Sequence, residues 1–200
     1  MRQNYFKKVT KKTDESSPYP YYYTKSLLED MQIQSNKVVS LTYELRVDDE
    51  NGDQTLVEKV ERDQPLVFLY GAGSMLEEFE RHLNGLKEGD TFDFSIDPEK
   101  GYGEFDEEAV VDLPKDIFKI NGKVEDGMLE VGNVIPMTDQ NGHRLQGRVV
   151  EVQDDLVTMD FNHPLAGMQM HFKGEIVNVR SATLEEISHG HVHGEGGVHH

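Results

Sequence analysis

Hydrophobic and polar residues alternate where the regular patterning of the chain begins. Within Val38–Val47, apolar side chains recur at every second position, at Val39, Leu41, Tyr43, Leu45 and Val47. A period of two predicts a strand with one buried face. The Asn51-Gly52 pair predicts a turn, and Thr55–Val60 follows as a second strand. We therefore predict that this part of the chain folds as antiparallel strands.

The period changes after a short apolar run at Leu66–Tyr70. Ser74 and Glu77 have the spacing of a capping box, which predicts that a helix begins there. The apolar residues that follow at helical spacing are Met75, Leu76, Phe79 and Leu83. Gly85 predicts the end of this short helix, and the alternation of Thr91–Ile96 predicts another strand.

A β-rich block runs from about Val110 to Asp160. Its apolar runs are Val131–Met137, Leu145–Val152 and Leu156–Met159. An irregular loop at Asn162–Gly167 precedes a last strand at Met168–Val179. A parallel sheet needs repeated crossover helices, and only one good helix is present. The pattern therefore predicts an α+β fold with an antiparallel sheet, and it excludes a helix bundle.

The two ends of the chain lack this patterning. Residues 1–30 show no sustained period, so we expect a disordered extension. We also hypothesise that this extension is dispensable, because Met31 lies where the patterned part begins. Residues 184–200 end in a segment rich in His and Gly, and we expect a disordered tail from His189 onwards.

Composition narrows the classes of function. The 200 residues include 36% hydrophobic residues and carry a net charge of -18. Such an acidic surface repels phosphate backbones, so we expect no nucleic-acid partner and favour a monomer. The absence of cysteine excludes disulfides and thiol catalysis. No apolar run reaches the roughly 18 residues of a membrane span, and we expect a cytoplasmic protein without a membrane partner.

Few motifs of covalent chemistry are present, but aromatic and large apolar residues gather near the predicted strand ends. The sequence contains no P-loop and no Gly-x-Ser-x-Gly. The gathered residues are Tyr43, Phe68, Met75, Leu76, Phe79, Tyr102 and Phe172. Taken singly, each is more typical of the core of a small barrel. Tyr102 is the exception, because it stands between two glycines in a loop and its hydroxyl needs a partner or a ligand.

One segment combines a strand, a glycine turn and a helix. It reads Pro65-Leu66-x-Phe68-x-x-Gly71-x-Gly73-x-Met75-Leu76-x-x-Phe79-Glu80. This segment resembles the FKBP-type peptidyl-prolyl cis-trans isomerases, and Gly89-Asp90 and Tyr102-Gly103 follow in the order of that family. The SlyD-type subgroup is the best match, through Val38-Val39-Ser40-Leu41-x-Tyr43, Tyr102-Gly103-Glu104-Phe105-Asp106-Glu107, Leu113-Pro114-Lys115-Asp116-x-Phe118 and Asn162-His163-Pro164-Leu165-Ala166-Gly167.

The resemblance implies an antiparallel half-barrel sheet wrapped around the short helix, formed by residues 31–109 and 161–183. Residues 110–160 would be the insert-in-flap domain, a small β-rich unit that captures unfolded chain. The implied reaction is the isomerisation of X–Pro bonds in unfolded or nascent polypeptides, without a cofactor. The substrate proline would lie on Phe79, and the Tyr102 hydroxyl would bond a substrate carbonyl. The implied site residues are Tyr43, Glu58, Phe68, Met75, Leu76, Phe79, Tyr102 and Phe172.

Three residues depart from the family pattern. Glu58 stands where an aspartate is usual, Glu78 replaces a glycine, and Phe79 replaces the tryptophan of many members. These changes keep a second hypothesis open, in which the protein is a chaperone that binds chains without catalysis. The intact aromatic residues of the site favour the isomerase.

Histidines alternate in the C-terminal tail, at His189, His191 and His193. This segment resembles the start of the metal-binding tail of the SlyD-type subgroup. Neutral imidazoles bind nickel, copper or zinc, so the three histidines are candidate metal ligands. The alternative is a solvated tail that binds no metal.

Overall fold

The computed structural model describes residues 32–48, 53–139 and 141–192. The strands are β1 Lys37–Asp48, β2 Gln54–Val60, β3 Leu66–Leu69, β4 Thr91–Ile96, β5 Val110–Pro114, β6 Val134–Thr138, β7 Arg144–Val152, β8 Leu156–Asp160 and β9 Met170–Ser181. The α-helices are α1 Glu77–Leu83 and α2 Leu184–His189. The predicted extension at residues 1–30 lies outside the described residues.

The first sheet is antiparallel and has the order β2-β1-β9-β4. The strand β1 is long enough to pair with β3 through Val38–Leu41 and with β2 through Tyr43–Asp48 on the same edge. The period of two in β1 places Val39 and Leu41 fully inside the core. This confirms the predicted strand and the predicted α+β fold with an antiparallel sheet.

Helix α1 covers the core of the first sheet and buries Phe79 and Leu83. The predicted capping box is wrong, because the N-cap residue is Leu76 and no side chain caps the helix. Met75 and Leu76 pack against the core in a non-helical segment, so the helix begins only at Glu77. Burial of these two apolar side chains outweighs the local preference of Ser74 for a cap position.

The second sheet lies between the two halves of the first sheet in sequence and has the order β5-β8-β7-β6. Its own buried cluster is centred on Phe118, Val149, Val157 and Met159. Proline occurs on both edge strands, as Pro114 in β5 and Pro136 in β6. An edge strand tolerates proline because one side of it needs no hydrogen-bond donor.

The C-terminal segment is ordered further than the sequence predicts. Thr183 and Glu186 form a capping box that starts α2, and Gly190 in the left-handed conformation ends it. Beyond the helix, Val192 is buried with Val38 and Leu69. The expected disorder from His189 is therefore wrong for residues 189–192. The reason is tertiary, since Val192 covers apolar surface that β1 and β3 leave open.

Within the described residues, no helix is long and apolar enough to cross a membrane.

Candidate functional site

A cavity of about 400 Å³ opens beside the core of the first sheet. Strands β1, β2, β3 and β9, the turn before α1 with the helix itself, and the loop after β4 supply its walls. The lining residues are Tyr43, Leu45, Glu58, Leu66, Gly73, Ser74, Met75, Leu76, Phe79, Tyr102, Met170 and Phe172. The structure thus brings all the predicted site residues except Phe68 to one cavity.

The aromatic ring of Phe79 is the central apolar group of this cavity. Its centroid lies 5.0 Å from that of Phe172 and 6.3 Å from that of Tyr43, in edge-to-face geometry. Phe68 contacts Phe79 at 6.4 Å but is 1% exposed. Phe68 therefore supports the Phe79 ring from within the core and does not itself line the cavity.

Strand pairing explains why these rings meet. Phe172 of β9 lies opposite Leu45 of β1 on one side and opposite Phe94 of β4 on the other. Because side chains alternate across a strand, Tyr43 and Leu45 of β1 face the same side. The alternating pattern along β1 thus predicts which of its residues can reach the cavity.

The turn before α1 is held by a buried carboxylate. Both carboxylate oxygens of Glu80 accept the backbone N–H of Gly71, at 3.2 Å. Burial raises the pKa of Glu80 above its usual value, and the bond from Gly71 acts in the opposite direction. This contact ties α1 to the glycine turn, and Met75 and Leu76 follow that turn into the cavity wall.

A short hydrogen bond links two polar groups at the cavity mouth. The Tyr43 hydroxyl donates to Glu58 Oε2 at 2.6 Å. Burial first, and then the Glu58 carboxylate, raise the pKa of Tyr43 well above its usual range. The Tyr43 hydroxyl therefore stays protonated, and Glu58 reaches it despite being one methylene longer than the aspartate usual in the family.

Tyr102 stands in the loop that follows β4 and a 3₁₀-helix at Pro98–Lys100. The side chain is 42% exposed and lines the cavity. Within the described ranges, the Tyr102 hydroxyl has no hydrogen-bond partner in the protein. It is thus available to donate to a bound molecule.

The third departure from the family pattern lies outside the cavity. The Glu78 side chain bonds to Arg81 and contacts Lys100. The hydrogen bond from Arg81 lowers the pKa of Glu78 to about 2. Glu78 is not among the lining residues. The presence of Glu in place of the family's glycine at this position therefore leaves the apolar wall unchanged.

Sequence reasoning missed several lining residues. Leu45 shares the alternation of Tyr43, and Leu66 belongs to the quoted strand–turn–helix segment, so both carried a usable signal. Met170 carried the same signal, because it stands two residues before Phe172 in the predicted last strand. It reaches the cavity because β9 pairs it with Val47 on one side and Ile96 on the other.

A larger depression of about 1120 Å³ lies around β2, β1, β9 and β4. It is lined largely by charged residues that pair with each other, such as Arg62 with Glu175 and Lys59 with Glu61, both at 2.9 Å. Exposed, paired charges of this kind offer little to a ligand. The smaller aromatic cavity is therefore the candidate site.

The tail histidines are only partly described. The rings of His189 and His191 are stacked, with 5.7 Å between centroids. His193 lies outside the described residues. No group of three or more candidate metal ligands occurs among residues 32–48, 53–139 and 141–192. Binding of nickel, copper or zinc by the tail stays a prediction.

Known proteins resemble this chain over most of its length. A family model for FKBP-type peptidyl-prolyl cis-trans isomerase matches residues 29–125. Three relatives are similar, each described as FKBP-type peptidyl-prolyl cis-trans isomerase SlyD. The Aeromonas hydrophila protein is 39% identical over 171 residues, which cover 85% of this chain and 75% of the relative. The Haemophilus influenzae protein is 37% identical, with 82% and 81% covered. The Escherichia coli K12 protein is 37% identical, with 82% and 79% covered.

Proposed function

We propose that X–Pro bonds rotate in the aromatic cavity beside Tyr102, because this chain belongs to the FKBP-type peptidyl-prolyl cis-trans isomerases. The substrates of this enzyme are proline-containing polypeptides. We further propose that the second sheet captures unfolded chain and raises its concentration near this cavity. The carrying observation is the Tyr102 hydroxyl, which lines the cavity beside Phe79 and Phe172 and has no hydrogen-bond partner among the described residues.

Rotation about a peptide bond breaks no covalent bond. The barrier of about 18–20 kcal/mol arises from amide resonance, which favours the planar and more polar form. An apolar site disfavours that polar form and can hold the twisted amide by its shape. Phe79 and Phe172, which are 3% and 7% exposed, provide such a surface. The proposed mechanism needs no nucleophile, metal or cofactor.

The Tyr102 hydroxyl supplies the directional part of the site. A donor aimed at a substrate carbonyl beside the proline fixes the chain while the amide twists. Tyr43 is a poorer candidate, because its hydroxyl already donates a hydrogen bond to Glu58. We therefore assign the substrate bond to Tyr102 and an orienting role at the cavity mouth to the Tyr43–Glu58 pair.

Replacement of Tyr102 by Phe tests this assignment. We expect Y102F to lower kcat/KM on a short X–Pro peptide by about five- to twentyfold, the effect of losing one hydrogen bond to the substrate. Tyr70→Phe is the matched control, since the Tyr70 hydroxyl bonds Asn84 at 3.1 Å and lies outside the cavity. A protease-coupled isomerisation assay measures both variants.

The same assay separates the two hypotheses about catalysis. Uncatalysed isomerisation takes tens to hundreds of seconds. If the wild-type protein does not shorten this time, only the hypothesis of a chaperone that binds without catalysis remains. Equal kcat/KM for Y102F and wild type would instead remove Tyr102 from the mechanism and leave the isomerase in place.

Exposed apolar side chains support capture by the second sheet. Large hydrophobic residues that no neighbour covers are unusual on a soluble surface when they cluster, and they mark sites for apolar partners. The exposed large hydrophobic residues of the second sheet and its connections are Ile117, Ile120, Val131, Val134, Leu145, Val150 and Leu156. An unfolded chain offers the apolar side chains that such a surface would bind.

A further inference from the structure

The loop Asn162–Gly167 lies directly against the loop that carries Tyr102. The His163 ring stacks on the Tyr102 ring with 3.5 Å between centroids and 9° between planes. In the part of the chain that the structure describes, His163 is the only ring that stacks on Tyr102. The two residues are far apart in sequence, so only the tertiary fold brings them together.

Hydrogen bonds on both sides of His163 fasten its loop to the segment that follows Tyr102. The Gly167 N–H donates to the Gly103 carbonyl at 2.8 Å. The Asn162 side chain accepts from the Asp106 N–H and donates to the Asp106 carbonyl, each at 2.9 Å. Because these bonds flank His163, its ring is delivered to one place relative to Tyr102.

A hydrogen bond orients the His163 ring within its own loop. The Leu165 N–H donates to His163 Nδ1 at 3.1 Å. Nδ1 is then an acceptor, so the neutral ring carries its proton on Nε2. Burial lowers the pKa of His163 and favours this neutral form. The bond from Leu165 thus gives the ring that faces Tyr102 a fixed direction.

The Tyr102 ring needs such support. The Gly101 and Gly103 N–H groups hold the backbone by donating to the Pro98 carbonyl, at 3.0 and 2.8 Å. These flanking glycines offer no side chain that could hold the Tyr102 ring. The Tyr102 side chain is 42% exposed and has no partner for its hydroxyl among the described residues. Without a neighbouring plane, the phenol would sample several rotamers at the edge of the cavity.

We infer that His163 is a positioning residue of the isomerase, whose stacked ring holds the Tyr102 hydroxyl in the direction of the substrate carbonyl. This inference rests on the proposed role of Tyr102. A misplacement of about 1 Å at a catalytic group is enough to slow an enzyme strongly, so a contact outside the cavity can control turnover.

The competing explanation is that His163 serves only its own turn, as the acceptor for Leu165. Two substitutions separate the stack from the turn. H163F keeps an aromatic plane and removes the acceptor. H163N keeps a side-chain oxygen that can accept from the N–H two residues on, and it removes the plane.

We expect H163F to keep kcat/KM within about twofold of wild type on a short X–Pro peptide. H163N should lower kcat/KM about three- to tenfold, the range of a lost aromatic pair, and chiefly through kcat. In a Y102F background, H163N should change kcat/KM by less than about twofold, because no hydroxyl remains to be positioned. Thermal unfolding of each full-length variant shows that the compared proteins are folded.

Three results would overturn the inference. These are wild-type kcat/KM for H163N, equal losses in H163F and H163N, or the same loss from H163N with and without Y102F. Each would leave the proposed function standing if Y102F alone is impaired. Wild-type kcat/KM for Y102F would instead remove Tyr102 from the proposed mechanism, and the inference with it.

Discussion

Single residues decide how far the site departs from its family. Glu58 is longer than the usual aspartate, yet it accepts from Tyr43 at 2.6 Å. Phe79 is smaller than tryptophan, but it contacts Phe68, Phe92, Phe94 and Phe172 and is 3% exposed. Phe79 is therefore held by rings on several sides, and with Phe172 it gives the cavity an apolar surface.

Ionisation of Tyr43 gives a pH prediction. The raised pKa of Tyr43 means that the unfolded chain loses this proton first, at about pH 10. The stability that depends on it is present below about pH 10 and is lost as the pH rises through the folded-state pKa. We expect the free energy of unfolding to fall more steeply above pH 10 in wild type than in Tyr43→Phe, measured by urea titration. Parallel curves would contradict the assignment.

Gly174 of β9 is required by close packing that the sequence does not reveal. A Cβ at this position would lie 2.0 Å from the Thr42 carbonyl oxygen and 2.6 Å from Phe92 Cζ. We expect Gly174→Ala to lower the free energy of unfolding by about 2–3 kcal/mol, because a backbone atom cannot move away. Urea unfolding gives the value.

Gly147 of β7 provides the matched control. A Cβ there would meet Phe161 Cε1 at 2.7 Å and Met159 Cε at 2.8 Å, which are the ends of side chains that can shift. Gly147→Ala should therefore cost less than Gly174→Ala. The reverse order would show that the backbone contact at Thr42 is not the cause.

At the scale of elements, α2 shows how an exposed tail becomes part of the fold. The carboxylate of Glu186 accepts from Arg180 of β9 at 2.7 and 2.9 Å and also from the Thr183 N–H. The bonds from Arg180 lower the pKa of Glu186 to about 2. One buried side chain thus caps the helix and joins it to the sheet.

Loss of this carboxylate gives a second pH prediction. A lowered pKa means that the contribution of Glu186 is complete above about pH 4.5 and is lost as the pH falls to about 2. We expect Glu186→Gln to destabilise the protein at pH 7 by about 1–2 kcal/mol, the value of a charged hydrogen bond. The difference from wild type should shrink towards pH 2 in urea unfolding. Glu185→Gln, in the same turn, is the control and should change little.

At the scale of the whole molecule, the second sheet begins and ends at one place. Val110 of β5 pairs with Asp160 of β8, and the Phe161 N–H donates to the Ala109 carbonyl at 3.0 Å. The two connections to the first sheet therefore run side by side. The block can be removed without leaving distant chain ends.

This geometry allows a sharp test of the two proposed roles. A variant that lacks residues 110–159 keeps Asp160, which accepts from the Asn162 N–H at 2.9 Å and so supports the loop against Tyr102. We expect near wild-type kcat/KM on a short X–Pro peptide, but clearly slower catalysis of the refolding of a whole protein with a proline-limited step. Unimpaired refolding would contradict capture by the second sheet.

The sequence by itself determined much of the local structure and the family. The period of two in β1, the run that became β4 and the ordered match through Phe79, Tyr102 and Asn162–Gly167 depend on neighbours in the chain or on a motif. Such signals survive without knowledge of the fold. They also indicated most of the residues that line the cavity.

Only the tertiary structure decided the rest, because the deciding contacts join residues distant in sequence. Packing of Met75 and Leu76 moved the start of α1 past Ser74, and burial of Val192 ordered a segment expected to be disordered. Loop docking placed His163 on Tyr102. Burial of this kind outweighs local conformational preferences of about 1 kcal/mol. Local sequence patterns therefore could not predict these features.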